Sequence, residues 1–129
     1  VLFFYKGDCP ACAAAAHVLP RLAAVPGVRV AAISQDGPDE TRAFAAAHGW
    51  DGAPVGILLD PEPWPASDAL GLRATPTWIL LAPGGRVELS SEGWSRDEAN
   101  ALGARAAALA GAPAPLVSRP EDGPAFRPG

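Results

Sequence analysis

Two cysteines, the only ones in the 129-residue chain, stand two residues apart where an apolar run gives way to an alanine-rich one: VLFFYKGDCPACAAAAHVLPRL, Val1 to Leu22. Val1–Tyr5 is continuously apolar rather than alternating, the pattern of a strand buried on both faces. Lys6-Gly7-Asp8 supplies a turn, and Pro10 suits a first helical turn, where its missing N–H costs nothing. Alanine's propensity predicts a helix over Ala11–Ala24, kinked or ended early at Pro20. Both thiols are thereby placed at a strand-to-helix junction.

The first N–H groups of a helix lack partners and favour negative charge. Cys9, at or just before the first helical residue, is the thiol whose anion such a position favours. Cys12 lies one turn deeper, shielded and within bonding reach of Cys9. The division suits a nucleophile at Cys9 and a resolving thiol at Cys12, acting through a mixed disulfide. Three other readings compete. A structural disulfide closing so short a loop is worth only about 2 kcal/mol before strain. A zinc site wants a second pair of ligands, and only His17 and His48 are on offer, on different predicted helices. Buried inert thiols fit poorly with a helix start.

Composition narrows the class. The formal net charge is −4 and the Lys and Arg residues are scattered singly, which argues against recognition of a phosphate backbone. The longest apolar runs, VLFFY and TWILLA, are too short to span a bilayer. With no methionine and with Val1 already in a strand-like run, the chain is read as a processed or trimmed piece. Close cysteine pairs serve redox chemistry on either side of a membrane. The chain as it stands is expected in the cytoplasm, or outside it if a leader or anchor is removed upstream of Val1.

Further along, Val28–Ser34 predicts a second strand, and a helix starts near Pro38 and ends at Gly49. Pro54–Asp60 predicts a third strand, and Ser67–Leu72 a short helix in a proline-broken loop. Thr77–Ala82 and Arg86–Ser91 flank Pro83-Gly84-Gly85 and predict an antiparallel hairpin. Ser95 predicts an N-cap, with Glu98 completing a capping box, for a helix that ends at Gly111. Residues 112–129 are proline-rich and aperiodic, a tail draped on the surface or disordered; the domain is expected over 1–111. The order is an α/β one. Right-handed crossovers put the first strand centrally, the second and third stepping outward and the hairpin on its other side. Cys9 then lies at a switch point, where open α/β sheets form ligand sites.

CPAC after the first core strand and ATPTWIL at the start of the hairpin resemble the thioredoxin-like superfamily. VAAISQDGPDETRAFAAAHG, ILLDPE and ASDALGLRATPTWILLAPGGRV are similar to its redoxin branch, over roughly Val1 to Ala110. The resemblance implies a mixed sheet of about five strands flanked by helices and a thiol–disulfide oxidoreductase. It implies Cys9 as attacking thiol, Cys12 as resolving thiol and a cis bond at Thr75–Pro76 facing them. There the backbone of Thr75 can pair with an extended substrate strand; Pro10 and Thr75 are expected beside the substrate. No cofactor or metal is implied. The partners are protein or small-thiol disulfides and an upstream redox partner.

The chain departs from thioredoxins at several positions. Asp8 stands where they carry Trp; its charge opposes a thiolate at Cys9 unless it caps the helix or Lys6 offsets it. Pro-Ala between the cysteines leaves the direction of electron flow open. Strand one has no acidic residue to assist Cys12. Trp78 is expected to line the substrate groove or to pack in the core or rim. His17, about 140° around the helix from Cys12, points away from it, while His48 is favourably placed as a cation at a helix C-terminus. Trp50, Trp64 and Trp94 fall at element ends, and Asp60 and Glu62 cannot be placed.

Two further function classes stand beside the oxidoreductase. A peroxidase of the peroxiredoxin kind wants a hydroxyl residue three positions before its cysteine, where Lys6 precedes Cys9. A thioredoxin-like docking module would leave the intact thiol pair and Pro76 without a role.

Overall fold

The computed structural model describes residues 1–129. Strands β1 (Leu2–Tyr5), β2 (Val30–Ser34), β3 (Val55–Leu59), β4 (Thr77–Leu81) and β5 (Val87–Glu92) form one sheet in the order β3-β2-β1-β4-β5. The first three are parallel, and the β4–β5 hairpin runs antiparallel to β1. This is the predicted arrangement: an α/β thioredoxin-like fold with a five-stranded mixed sheet.

Burial on both faces explains why β1 carries no polar residue. Phe3 and Tyr5 enter the main core with Ala32, Trp78 and Leu80, whereas Phe4 joins Ile33 and Ile79 in a small cluster on the other face. Register Phe3↔Trp78 sets those two rings 4.4 Å apart between centroids. Helices α1 (Pro10–Ala15), α2 (Val18–Ala23), α3 (Pro38–Ala47) and α5 (Arg96–Ala110) contribute to the main core; α4 (Pro65–Ala69) is a single short turn.

Where one kinked helix was predicted over Ala11–Ala24, two six-residue helices stand. Pro20 cannot donate to the carbonyl of Ala16 and crowds it. That freed oxygen accepts the Trp50 indole N–H at 3.0 Å. The short helix also sits earlier than predicted, because the buried Asp60 carboxylate takes the N–H groups of Ala66 and Ser67, both at 2.8 Å, and starts the turn at Pro65. At α5 only half of the expected capping box forms: Ser95 Oγ accepts the Glu98 N–H at 3.3 Å, with no return bond from Glu98. Gly111 ends that helix at φ 70°, as expected.

Residues 112–129 are draped rather than loose. Val117 is fully buried, and Asn100 Oδ1 receives the N–H groups of Val117 and Ser118 at 2.9 and 3.0 Å. Gly103 makes room for this approach, since a methyl group there would lie 3.1 Å from Val117 Cγ1. Arg21 donates twice to Asp122, at 2.6 and 2.9 Å, across a 3-10 turn over Pro120–Asp122. The chain then adds a second, two-stranded ribbon, β6 (Trp94–Ser95) with β7 (Phe126–Arg127).

Two measurements test these anchors. Trp50→Phe removes the only side-chain partner of the Ala16 carbonyl and should cost about 1–3 kcal/mol in chemical denaturation. The Arg21 guanidinium, then the Arg119 N–H, hold the Asp122 carboxyl well below the usual carboxylate range. A lowered folded pKa means that this contribution is full above the unfolded value of about 3.9 and fades as pH falls below it. Amide protection factors at Val117 and Ser118, corrected for the intrinsic pH dependence of exchange, should therefore fall on acidification through that range, and Asp122→Asn should remove the fall.

Candidate functional site

The dithiol turn follows from what its residues cannot do. Cys9 has extended backbone, φ −97° and ψ 113°, so the helix begins only at Pro10, whose absent N–H is no loss there. Cys9 is itself the N-cap: its Sγ accepts the Cys12 N–H at 3.1 Å. A sulfur thus fills the place usually taken by a Ser or Asp oxygen. Asp8, next to it, is exposed and caps nothing. Lys6 lies with its Nζ 5.3 Å over the Trp64 ring, a cation–π contact on the same rim.

The second element comes from the loop that leads into β4, the strand paired with β1. Thr75–Pro76 is cis, and the Cys9 thiol donates to the Thr75 carbonyl at 3.3 Å. No hydrogen bond of the chain is donated by the Thr75 N–H. Pro10 is exposed beside them. Cys9, Pro10, Cys12, Thr75 and Pro76 therefore lie together at one end of the sheet.

The two thiols differ sharply in surroundings. Cys9 is half-buried and Cys12 is sealed in the core. Burial, then the neighbouring Cys9, push the Cys12 thiol far up from its usual range, so it stays protonated at neutral pH. Beneath it lies Tyr5, stacked with Phe3 and tilted on Phe44. Its buried hydroxyl has no hydrogen-bond partner, and burial raises its pKa. Strand one thus sets its aromatic rings in the same core as the Cys12 sulfur.

Several residues fall elsewhere. Trp78 is buried against Phe3 and belongs to the core, not to a groove wall. Strand alternation decides this: Thr77 and Trp78 face opposite sides of β4. His17 turns from the thiols, as expected, and bonds Ser118 Oγ at 2.8 Å. His48 corrects the expectation of a cation, because its ring packs on Phe44, centroids 4.2 Å apart, and burial lowers its pKa. Asp60 is a helix anchor; burial alone would raise its pKa, but bonds from Ser67 and Ala66 outweigh this and lower it. Trp50 and Trp94, at element ends, are fully buried.

Two features had no signal in the sequence. A polar cleft of about 350 Å³ beside Thr75 is lined by Lys6, Gln35, Trp64, Asp68 and Arg73. Trp64 closes it from a left-handed backbone, φ 55°, with its indole N–H on the Gln35 carbonyl at 3.1 Å. The second is the chain's own C-terminal strand, which reaches the Thr75 loop and packs on α1.

A dithiol at the end of the first strand, facing a cis-proline loop across a mixed sheet, defines a thioredoxin-like fold with a C-x-x-C pair near a helix start. Solved structures agree on the fold. A Chlorobium tepidum protein described as a candidate thiol:disulfide interchange protein DsbE superposes with TM-score 0.70 at 22% identity, over 84% of this chain and 77% of that one. A secreted Mycobacterium tuberculosis disulfide oxidoreductase homologous to E. coli DsbE gives TM-score 0.60 at 20% identity, over 70% and 65%. MTB dsbF, in mixed oxidized and reduced forms, gives 0.65 at 24%, over 84% and 78%. No curated protein matches the chain. The family model described as TraF, F plasmid transfer operon protein, matches residues 1–95, and the chain belongs to this family. No helix is long and apolar enough to cross a membrane.

The contrast between the thiols has a direct readout. Iodoacetamide at pH 8 should label Cys9 alone in the folded protein, with Cys12 labelled only after denaturation, as resolved by peptide mass spectrometry. Equal labelling of both would contradict a sealed Cys12.

Proposed function

We propose that the protein is a thiol–disulfide oxidoreductase working through Cys9 and Cys12. The observation that carries this reading is the Cys9 sulfur, half-exposed, capped by the Cys12 N–H and set against the Thr75 carbonyl. That N–H fixes the sulfur at the helix start, on the side open to a partner disulfide. The second thiol lies one turn away, protonated and out of solvent.

The exchange balances without a cofactor. Cys9 thiolate attacks one sulfur of a partner disulfide; the partner's S–S bond breaks, a Cys9–partner bond forms, and the departing sulfur takes up a proton. Cys12 then gives up its proton and attacks Cys9 Sγ, releasing the second partner thiol. The partner is reduced by two electrons and Cys9–Cys12 is oxidised to a disulfide, which an upstream dithiol reduces again. The same steps reversed oxidise a partner dithiol. An extended partner segment pairs its backbone with the free N–H of Thr75, the strand-addition mode of recognition. The names of the DsbE-like neighbours support disulfide-bearing partners.

Substitution separates the two roles. Cys12→Ser should accumulate mixed disulfides on Cys9 that resist release, seen as dithiothreitol-sensitive adducts on non-reducing gels. Cys9→Ser should trap none and reduce insulin no faster than the assay's thiol alone. Insulin turnover by Cys9→Ser at the wild-type rate would end the proposal.

A further inference from the structure

Both the Cys9 thiol and the last residue of the chain come to the Thr75 carbonyl. The thiol donates to it at 3.3 Å. A methyl group at Gly129 would lie 2.9 Å from the same oxygen and 3.2 Å from Ala74 Cβ. On the facing wall, a methyl at Gly93 would lie 3.0 Å from the Gly129 nitrogen and 3.1 Å from the Arg127 carbonyl. Gly93 itself is tied to the proline loop, its N–H on the Pro76 carbonyl at 2.8 Å. Backbone therefore lies directly on backbone, and two glycines permit it.

The segment has the form of a docked strand. Phe126–Arg127 runs antiparallel to Trp94–Ser95 and packs beside α1, the helix that carries the thiols. It is also held unevenly. Up to Ala125 the chain is fastened: Trp94 Nε1 donates to the Pro124 carbonyl at 2.7 Å and the Arg96 N–H to the Ala125 carbonyl at 2.9 Å. Beyond that point Phe126 to Gly129 are exposed and joined to the rest by a two-residue pairing. Short, solvent-exposed pairings are the ones that open most readily.

We infer that Phe126–Gly129 is an internal occupant of the groove in which an extended substrate would pair with the Thr75 backbone, and that a protein disulfide must displace it to reach Cys9. The functional half rests on the oxidoreductase reading; the occupancy does not. Tethering supplies an effective concentration of about millimolar, so even a weak segment keeps the groove filled. The polar N–H of Thr75 stays unpaired beneath it, which leaves a better-matched strand something to gain.

The consequence is quantitative. A groove nine-tenths occupied weakens the apparent affinity for a competing substrate about tenfold. A chain ending at Ala125 keeps the anchoring carbonyls of Pro124 and Ala125. With insulin it should show a KM about tenfold lower at unchanged kcat, while hydroxyethyl disulfide, too small to need the groove, should react as before. Gly129→Val, which crowds Thr75 without shortening the chain, should move KM the same way; unchanged Tm confirms the fold of either variant. A synthetic peptide of residues 126–129, added at about millimolar concentration to match the tether, should raise the KM of the shortened protein again and shift the Thr75 and Gly93 amide resonances. Unchanged KM in both variants, or a peptide that leaves those amides untouched, overturns the inference. If no form exchanges any disulfide yet the peptide still shifts both amides, the groove assignment stands and the oxidoreductase reading falls.

Discussion

The pairing of β1 with β4 is the constraint on which the rest depends. Register Phe4↔Thr77 brings the Thr75–Pro76 peptide to the carboxyl end of β1, the end from which the chain turns into Cys9. A one-residue slip would turn Trp78 from the main core to the opposite face of the sheet, where Phe4 and Ile79 pack, and put Thr77 in its place. The contact of Phe3 with Trp78 makes such a slip expensive, since both rings are buried and neither has a second place to go. Core packing thereby fixes the distance between a thiol and a carbonyl separated by sixty-six positions in sequence.

At the site, the chemistry comes from unequal solvation more than from any special group. No acidic side chain stands by Cys12; its neighbours are Tyr5, Phe3 and small alanines. One sulfur keeps access to water and receives an N–H, while the other loses water altogether. On the oxidoreductase reading proposed above, that asymmetry orders the events: the sulfur that can be reached reacts first, and the sealed one acts once a covalent partner has been brought within its range.

Much of this was legible in the sequence because it is local. An unbroken apolar run, Pro-Gly-Gly between two strands, Ser95 at a helix start and Gly111 at its end each act within a few residues, and crossover handedness then orders the sheet. What escaped is long-range. Nothing near Asp60 announces that it will start a helix five positions on, and nothing in residues 112–129 shows that Asn100 and Arg21 wait to receive them. Ala16 is another case: Pro20 signals a break, but its position depends on an indole from beyond α3. Within the site, the cysteines and Thr75–Pro76 were visible because motif and topology coincide. Trp78 was ambiguous until strand alternation assigned it to the core, and the approach of Gly129 to Gly93 left no trace in local pattern.

The break between α1 and α2 has a mechanical side. A continuous rod carries any tilt of its first turn along its full length. Two short cylinders meeting at Ala16 and His17 do not, and the second is clamped by Arg21 to Asp122 while the junction is pinned by Trp50. On the proposed exchange, closing the bond between the sulfurs involves only the short first cylinder, and the clamped second one lies beyond the break.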